Sequence, residues 1–234
     1  MFSLRKDKPR TTAFSAKASG KTLQLNIFDA IGEDFFGEGI TASSVKNALG
    51  DSQDDYSDIE LNLNSPGGDL FEGVAIYNLL KSAGKPVNVN VLGLAASAAS
   101  LIAMAGTSIT MQLGTQMMIH EGLALAIGHA DDMRKMADTL ESVTASAADI
   151  YVARTGLSKD KILSMLKDET WMNPEQAKAN GFATAISEKK SDVKNSFNLS
   201  VFKNTPAELT KQENAEEDYT ISLRLKRIEV EKRK

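Results

Sequence analysis

The sequence predicts one α/β domain followed by a polar C-terminal extension. Three observations carry this reading. Short segments in which every second residue is apolar, the period of a half-buried strand, alternate with segments whose apolar residues recur at three- and four-residue spacing. Glycine and proline turns fall where one pattern gives way to the other. After residue 187 the patterning stops and the chain turns polar with mixed charge. A chain of 234 residues, 42% hydrophobic and 25% charged, supports one sizeable core rather than two. The expected division is a flexible basic arm or first edge element over residues 1–20, the domain over 21–187 and a tail over 188–234.

Taken in order, Ser19-Gly20-Lys21-Thr22 has the end of a phosphate-binding loop, but Ser15 stands where that loop requires glycine, so nucleotide binding is discounted. Leu23, Leu25 and Ile27 form the first alternating strand, and a short helix follows over residues 41–49. Ile59, Leu61 and Leu63 form the second strand, which ends in Asn64-Ser65-Pro66-Gly67-Gly68. Two glycines there permit backbone approaches that a side chain forbids, and the helix patterned by Val74, Tyr77 and Leu80 begins just beyond. The turn is an ordinary tight turn or an anion site built of backbone N–H groups.

Val87, Val89 and Val91 make a third strand, expected to turn at Gly93 and deliver Ser97 to the start of a helix containing Leu101, Ile102 and Met104. By itself that stretch describes a crowded helix start with Ser97 as N-cap. Residues 108–113 and 116–120 read as two more strands, with Met117 and Ile119 on one face and Met118 and His120 on the other. Met133, Met136, Leu140, Val143, Ala147 and Ile150 stripe a long helix over residues 131–155, a face either buried or turned to a partner. Residues 158–167 form another helix, and Asn173-Pro174-Glu175-Gln176 starts a further one. Residues 182–186 are the expected last strand, and the tail reads as a solvated linker with a short docking element. For that element Ile221, Leu225 and Ile228 share a helix face, while Ile221, Leu223 and Leu225 share a strand face, and the pattern does not choose.

Composition narrows the chemistry. The net charge of −4 gives no general reason to expect a nucleic-acid partner. There is no cysteine, which excludes disulfides, thiol nucleophiles and thiolate metal sites and suits a reducing, cytoplasmic setting. The most apolar run, residues 91–105, is shorter than the roughly 20 residues a bilayer span needs, so no membrane segment is expected.

Serine nucleophile chemistry requires a hydroxyl, a base, a carboxylate to hold the base and backbone donors for an oxyanion. Only two histidines are present. His120 ends a strand, where it can project into a cleft, whereas His129 sits among polar residues at a helix start. Glu169 and Asp168, beside the only tryptophan, are the candidate carboxylates, and Glu121 is a poorer one because adjacent strand residues point to opposite faces.

Ser65-Pro66-Gly67-Gly68 after a strand, Gly93-Leu94-Ala95-Ala96-Ser97-Ala98 about thirty residues on, Met118-Ile119-His120, and a carboxylate before Trp171 and a short helix together resemble the ClpP family of serine peptidases. The resemblance spans roughly residues 23–186 and implies a ClpP/crotonase-like fold of repeated β-β-α units. It assigns Ser97 as nucleophile, His120 as general base and the Gly67-Gly68 turn with the Ala98 N–H as oxyanion hole. Glu169 falls where the family usually has aspartate, a departure that keeps Asp168 as a rival. No cofactor or metal is implied; the implied partners are protein or peptide substrates and further copies of the chain in a heptameric or double ring. Residues 36–45 and 95–105, together with Glu169-Thr170-Trp171-Met172, look most like the head-maturation proteases of tailed phages and prophages, which implies capsid or scaffold protein as substrate. The alternatives are a housekeeping subunit acting with an ATPase unfoldase, a crotonase-like acyl-CoA enzyme, and a non-catalytic scaffold.

Overall fold

The structure, a computed structural model, describes residues 14–33, 39–50, 56–190, 197–207 and 209. The strands are β1 (Phe14–Ser19), β2 (Thr22–Ile27), β3 (Gly32–Glu33), β4 (Gly39–Ile40), β5 (Asp58–Ser65), β6 (Val87–Ala96), β7 (Ser108–Leu113), β8 (Gln116–Ile119), β9 (Thr170–Met172) and β10 (Ala185–Lys190). The helices are α1 (Ala42–Leu49), α2 (Leu70–Ser82), α3 (Ala98–Ala103), α4 (Ala130–Thr155), α5 (Lys159–Lys167) and α6 (Pro174–Ala179). The architecture is α/β, as the alternation of patterns predicts.

The main sheet runs β1-β2-β5-β6-β7-β10 and is parallel except for the β1–β2 hairpin. The apolar residues that alternate in sequence line up across it. Leu25, Leu61, Val89 and Ile109 form one in-register row, and Ile27, Leu63, Val91 and Met111 the next; all are fully buried. The opposite face carries an amide ladder, in which Asn90 donates to Asn62 at 3.1 Å and Asn62 to Asn26 at 2.9 Å. A one-residue slip in register would bury this ladder and expose the core rows, so the pattern itself selects the pairing.

Of the two readings open for residues 1–20, arm or first edge element, residues 14–19 take the second and form the edge strand β1. Gly20, at a φ of 61°, makes the hairpin turn, which accounts for Ser19-Gly20-Lys21-Thr22 without a phosphate. The basic N-terminal residues 1–13 and the Ile221–Ile228 pattern lie outside the described residues.

Gly93 calls for a correction. The chain does not turn there: β6 continues through it to Ala96. A Cβ at Gly93 would lie 2.4 Å from Asn64 Oδ1, and that same oxygen accepts the Leu94 N–H at 2.9 Å. Glycine here admits an amide side chain against the strand. The first half of β6 pairs with β7 and its second half with β8, so the sheet forks at this point; β8 in turn pairs antiparallel with β9. The last strand also begins later than expected, at Ala185, while Phe182 is a fully buried loop residue under α4, 5.7 Å from the Tyr151 ring.

The helix α4 is buried only over its second half, at Thr144, Ala147, Ala148 and Tyr151. Its first half and the preceding segment leave Leu123, Leu125, Ile127 and Met133 exposed by 73%, 80%, 92% and 36% within one chain. Among the described residues no helix is long and apolar enough to cross a membrane.

Candidate active site

Ser97 stands between β6 and α3, at the N-cap position but without a side-chain capping bond. Its backbone is at φ 53° and ψ −127°, a region that costs a non-glycine residue about 1–3 kcal/mol. Three hydrogen bonds hold it there. The Ser97 N–H donates to Met118 O at 2.9 Å, and the Ser97 carbonyl accepts from Ser100 N–H at 2.9 Å and Ser100 Oγ at 2.6 Å. Tyr151 lies 2.7 Å from Ser100 Oγ; with Ser100 donating to Ser97, the phenol is the donor in this pair. The relay ties α4 to the nucleophile's backbone, and burial raises the Tyr151 phenol well above its ordinary pKa, keeping the proton in place.

The strained turn projects the Ser97 hydroxyl toward the end of β8. Ser97 Oγ and His120 Nε2 are 2.7 Å apart. With its proton on Nδ1, a neutral His120 ring accepts the serine O–H, the geometry a general base requires. Burial lowers the His120 pKa from its ordinary value; the Glu169 carboxylate works against that shift, and the Lys203 ammonium works with it.

Gly67 lies directly behind the serine, and Gly68, next in the turn, lies against Ile31. A Cβ on Gly67 would sit 2.6 Å from Ser97 Cβ and 2.9 Å from Ala98 N, and one on Gly68 would sit 2.1 Å from Ile31 O. The two glycines differ in their donors. The Gly67 N–H already donates to Ser65 Oγ at 3.1 Å, so of the two expected oxyanion donors on this turn Gly67 supplies the close approach rather than a free N–H. The N–H groups of Gly68 and Ala98 have no acceptor among the described residues. Gly73 on α2 lets that helix close on Ala98, where an added Cβ would be 2.9 Å from Ala98 Cβ.

The carboxylate candidates separate. Asp168 caps the end of α5 on the exposed side and is 3.4 Å from Ser164 Oγ. Glu169 is 9% exposed, has a φ of 46°, and its charge acts on the His120 imidazole. Its oxygens are engaged elsewhere: Oε1 accepts from Asn204 N–H at 2.6 Å and Trp171 Nε1–H at 3.3 Å, and Oε2 accepts from Lys203 N–H at 2.8 Å. Among the described residues, the only hydrogen bond of the His120 ring is the one to Ser97. Glu121 is exposed and His129 is the exposed N-cap of α4, and neither makes a hydrogen bond to Ser97 or His120 among the described residues.

Sequence reasoning missed the residues that engage Glu169. Phe197, Leu199 and Phe202 form a separate buried cluster with Leu94, Ala96 and Met118, so this part of the tail is packed. The signal was present as a short apolar run, Phe197-Asn198-Leu199-Ser200-Val201-Phe202, inside a polar stretch.

Comparison with known proteins accords with this geometry. Residues 39–190 match the Clp protease family. The ATP-dependent Clp protease proteolytic subunit of Deinococcus radiodurans is 33% identical over 129 residues, covering 54% of this chain and 63% of that protein's length. The corresponding subunit of Bacteroides fragilis is 29% identical over 177 residues, covering 71% of this chain and 86% of its own. A Listeria monocytogenes ClpP1 mutant structure superimposes with a TM-score of 0.61 at 22% identity, covering 71% of this chain and 91% of that one. The Deinococcus and Bacteroides relatives are named proteolytic subunits, and none of the three is named a head-maturation protease. Family match, fold and the meeting of three distant segments agree: the chain belongs to the Clp protease family.

Proposed function

We propose that the chain is a serine peptidase in which Ser97 is the nucleophile, His120 the general base and Glu169 the residue that positions His120. The 2.7 Å approach of Ser97 Oγ to His120 Nε2 carries the reading, because it joins the end of β6 to the end of β8 in the arrangement acyl transfer needs. As Ser97 Oγ bonds to the peptide carbonyl carbon, its proton passes to Nε2, and the developing oxyanion is received by the Gly68 and Ala98 N–H groups. The imidazolium then gives its proton to the departing amine as the C–N bond breaks. Water, deprotonated by the same imidazole, hydrolyses the ester and regenerates the serine. Every step uses side chains and backbone donors of this chain alone.

Replacing Ser97 with alanine abolishes labelling by a fluorophosphonate probe and peptide hydrolysis; labelling that survives in Ser97→Ala removes Ser97 from the mechanism. A crotonase-like activity would instead turn over acyl thioesters without needing Ser97 or His120.

The relatives' names support action with an ATPase unfoldase on protein substrates. On that reading, degradation of a folded substrate depends on the added ATPase, whereas short peptides are cut without it. The head-maturation reading rests on the sequence resemblance alone, and coexpression with a capsid protein followed by mass spectrometry of the cut ends tests it. Assembly into rings is supported by the uncovered apolar row Leu123, Leu125 and Ile127 with the unburied start of α4. Light scattering of the pure chain giving a monomeric mass at micromolar concentration would contradict it.

A further inference from the structure

We propose that residues 197–205 are an intramolecular inhibitory cap, which holds the Glu169 carboxylate on its own backbone and covers the face of His120 and Trp171. The inference rests on the serine peptidase reading above and adds a level of control to it.

The cap lies outside the family-matched region, which ends at residue 190. It packs through its own apolar cluster, Phe197, Leu199 and Phe202 against Leu94, Ala96 and Met118, separate from the core that holds the main sheet together. It can therefore leave without dismantling the domain. The segment is closed on itself by Thr205 Oγ1, which donates to Leu199 O at 3.0 Å, and is anchored by Asn204 Nδ2, which donates to Asp168 O at 2.9 Å.

Three of its contacts oppose catalysis. The N–H groups of Lys203 and Asn204 occupy both Glu169 oxygens, at 2.8 and 2.6 Å, while no carboxylate receives a His120 hydrogen bond among the described residues. Without that bond the imidazole loses its enforced tautomer and orientation, and the imidazolium of the transition state loses its hydrogen-bonded counter-ion. The Phe202 ring packs in T-shaped contact with His120 at 5.5 Å and with Trp171 at 5.9 Å, so it occupies space beside the imidazole that a substrate side chain would otherwise fill. The Lys203 charge also acts against a second positive charge on His120. Release of the segment frees Glu169 to accept the His120 Nδ1–H and opens the Leu94, Met118 and Trp171 surface to an apolar substrate side chain.

The test uses the full chain. Phe197→Ala/Phe202→Ala weakens the apolar anchor, and Asn204→Pro removes one Glu169 donor while keeping the apolar cluster. Undocking is read independently of activity, by hydrogen exchange at the Lys203 amide and by the fluorescence of Trp171, the only tryptophan. Expected is faster exchange, shifted fluorescence and a rate of fluorophosphonate labelling at Ser97 higher by about tenfold or more, because the competent state is no longer a minor population. A synthetic peptide with the sequence of residues 196–206, added to the double variant, should slow labelling again. Undocked variants that are labelled at the wild-type rate or more slowly overturn the cap and leave the peptidase reading intact. Absence of labelling in both wild type and undocked variants overturns the peptidase reading, and the cap with it.

Discussion

Replacing Gly67 with alanine tests how tightly the oxyanion turn is built against the nucleophile. Gly67 has a φ of 87°, and an added methyl would stand 2.6 Å from Ala96 O, 2.6 Å from Ser97 Cβ and 2.9 Å from Ala98 N. An ordinary carbon contact needs about 3.5–4.0 Å, so the neighbours must retreat by about 1 Å. None of the three is the free end of a flexible side chain. Two are backbone atoms of the β6–α3 turn, and the third carries the reacting hydroxyl. The left-handed backbone adds about 1–2 kcal/mol of cost for any residue with a Cβ. Moving a nucleophile or an oxyanion donor by that distance lowers the rate by about 10²-fold, and complete loss of a donor lowers it by about 10²–10³-fold. Gly67→Ala should therefore lower kcat for a fluorogenic peptide by about 10²–10³-fold with a smaller change in KM. Gly84→Ala is the control: Gly84 has a similar φ of 63° but nothing within 4 Å of the added methyl. It should lose about 1–2 kcal/mol in denaturant unfolding and keep its activity. A Gly67→Ala enzyme within a few fold of wild type, or indistinguishable from Gly84→Ala, would refute the account of a turn pressed against Ser97.

The pH profile follows from His120, whose neutral form is the base and whose pKa lies below the ordinary 6.5; labelling should fall only as pH drops through a midpoint below 6.5. Glu169→Gln removes the charge that raises this pKa, so the midpoint moves to lower pH while the plateau falls; an unmoved midpoint would show that Glu169 does not act on His120. The same shift has a stability consequence: the unfolded state takes up the proton first, so unfolding free energy is unaffected by His120 above its unfolded pKa and declines as pH falls below it, which urea titrations with wild type and His120→Gln would resolve. Tyr151→Phe breaks the 2.7 Å contact with Ser100 and should cost about 1 kcal/mol of stability, with the labelling rate of Ser97 reduced because its carbonyl is less firmly held. Leu63→Ala, at a fully buried position in the central row, should cost about 2–5 kcal/mol by the same unfolding measurement.

How far the sequence could be read depended on whether short-range pattern or long-range contact set each feature. The strands around Leu25, Leu61 and Val89 were legible because burial of one sheet face imposes a period of two on local residues. The start of α6 was legible because Asn173 and Gln176 cap it reciprocally within one turn. Gly93 misled, since its glycine answers to Asn64, a residue from the neighbouring strand, rather than to a local turn. At Phe14–Ser19 arm and edge element stayed open, because an edge strand with exposed residues carries little burial pattern of its own. At the site, Ser97 and His120 were found through order and spacing of short motifs, whereas the occupation of Glu169 by the backbone of Lys203 and Asn204 involves N–H groups that every residue possesses. No side-chain pattern encodes such a contact; only the stray apolar run ending at Phe202 hinted that the tail returns.

The fork in β6 has a mechanical corollary. Residues Asn88–Val91 are clamped by β7, whereas Leu94–Ala96 are clamped by the short pair β8 and β9, with Gly93 at the branch point. The reactive end of the molecule thus hangs from two strands of four and three residues, which join the trunk through Met117, Ile119 and Met172, buried in the same core as Leu25 and Leu61, and through a short run of ladder hydrogen bonds. Amides of Met117, Met118 and Trp171 should then become labile together, well before those of Leu25 and Leu61 yield.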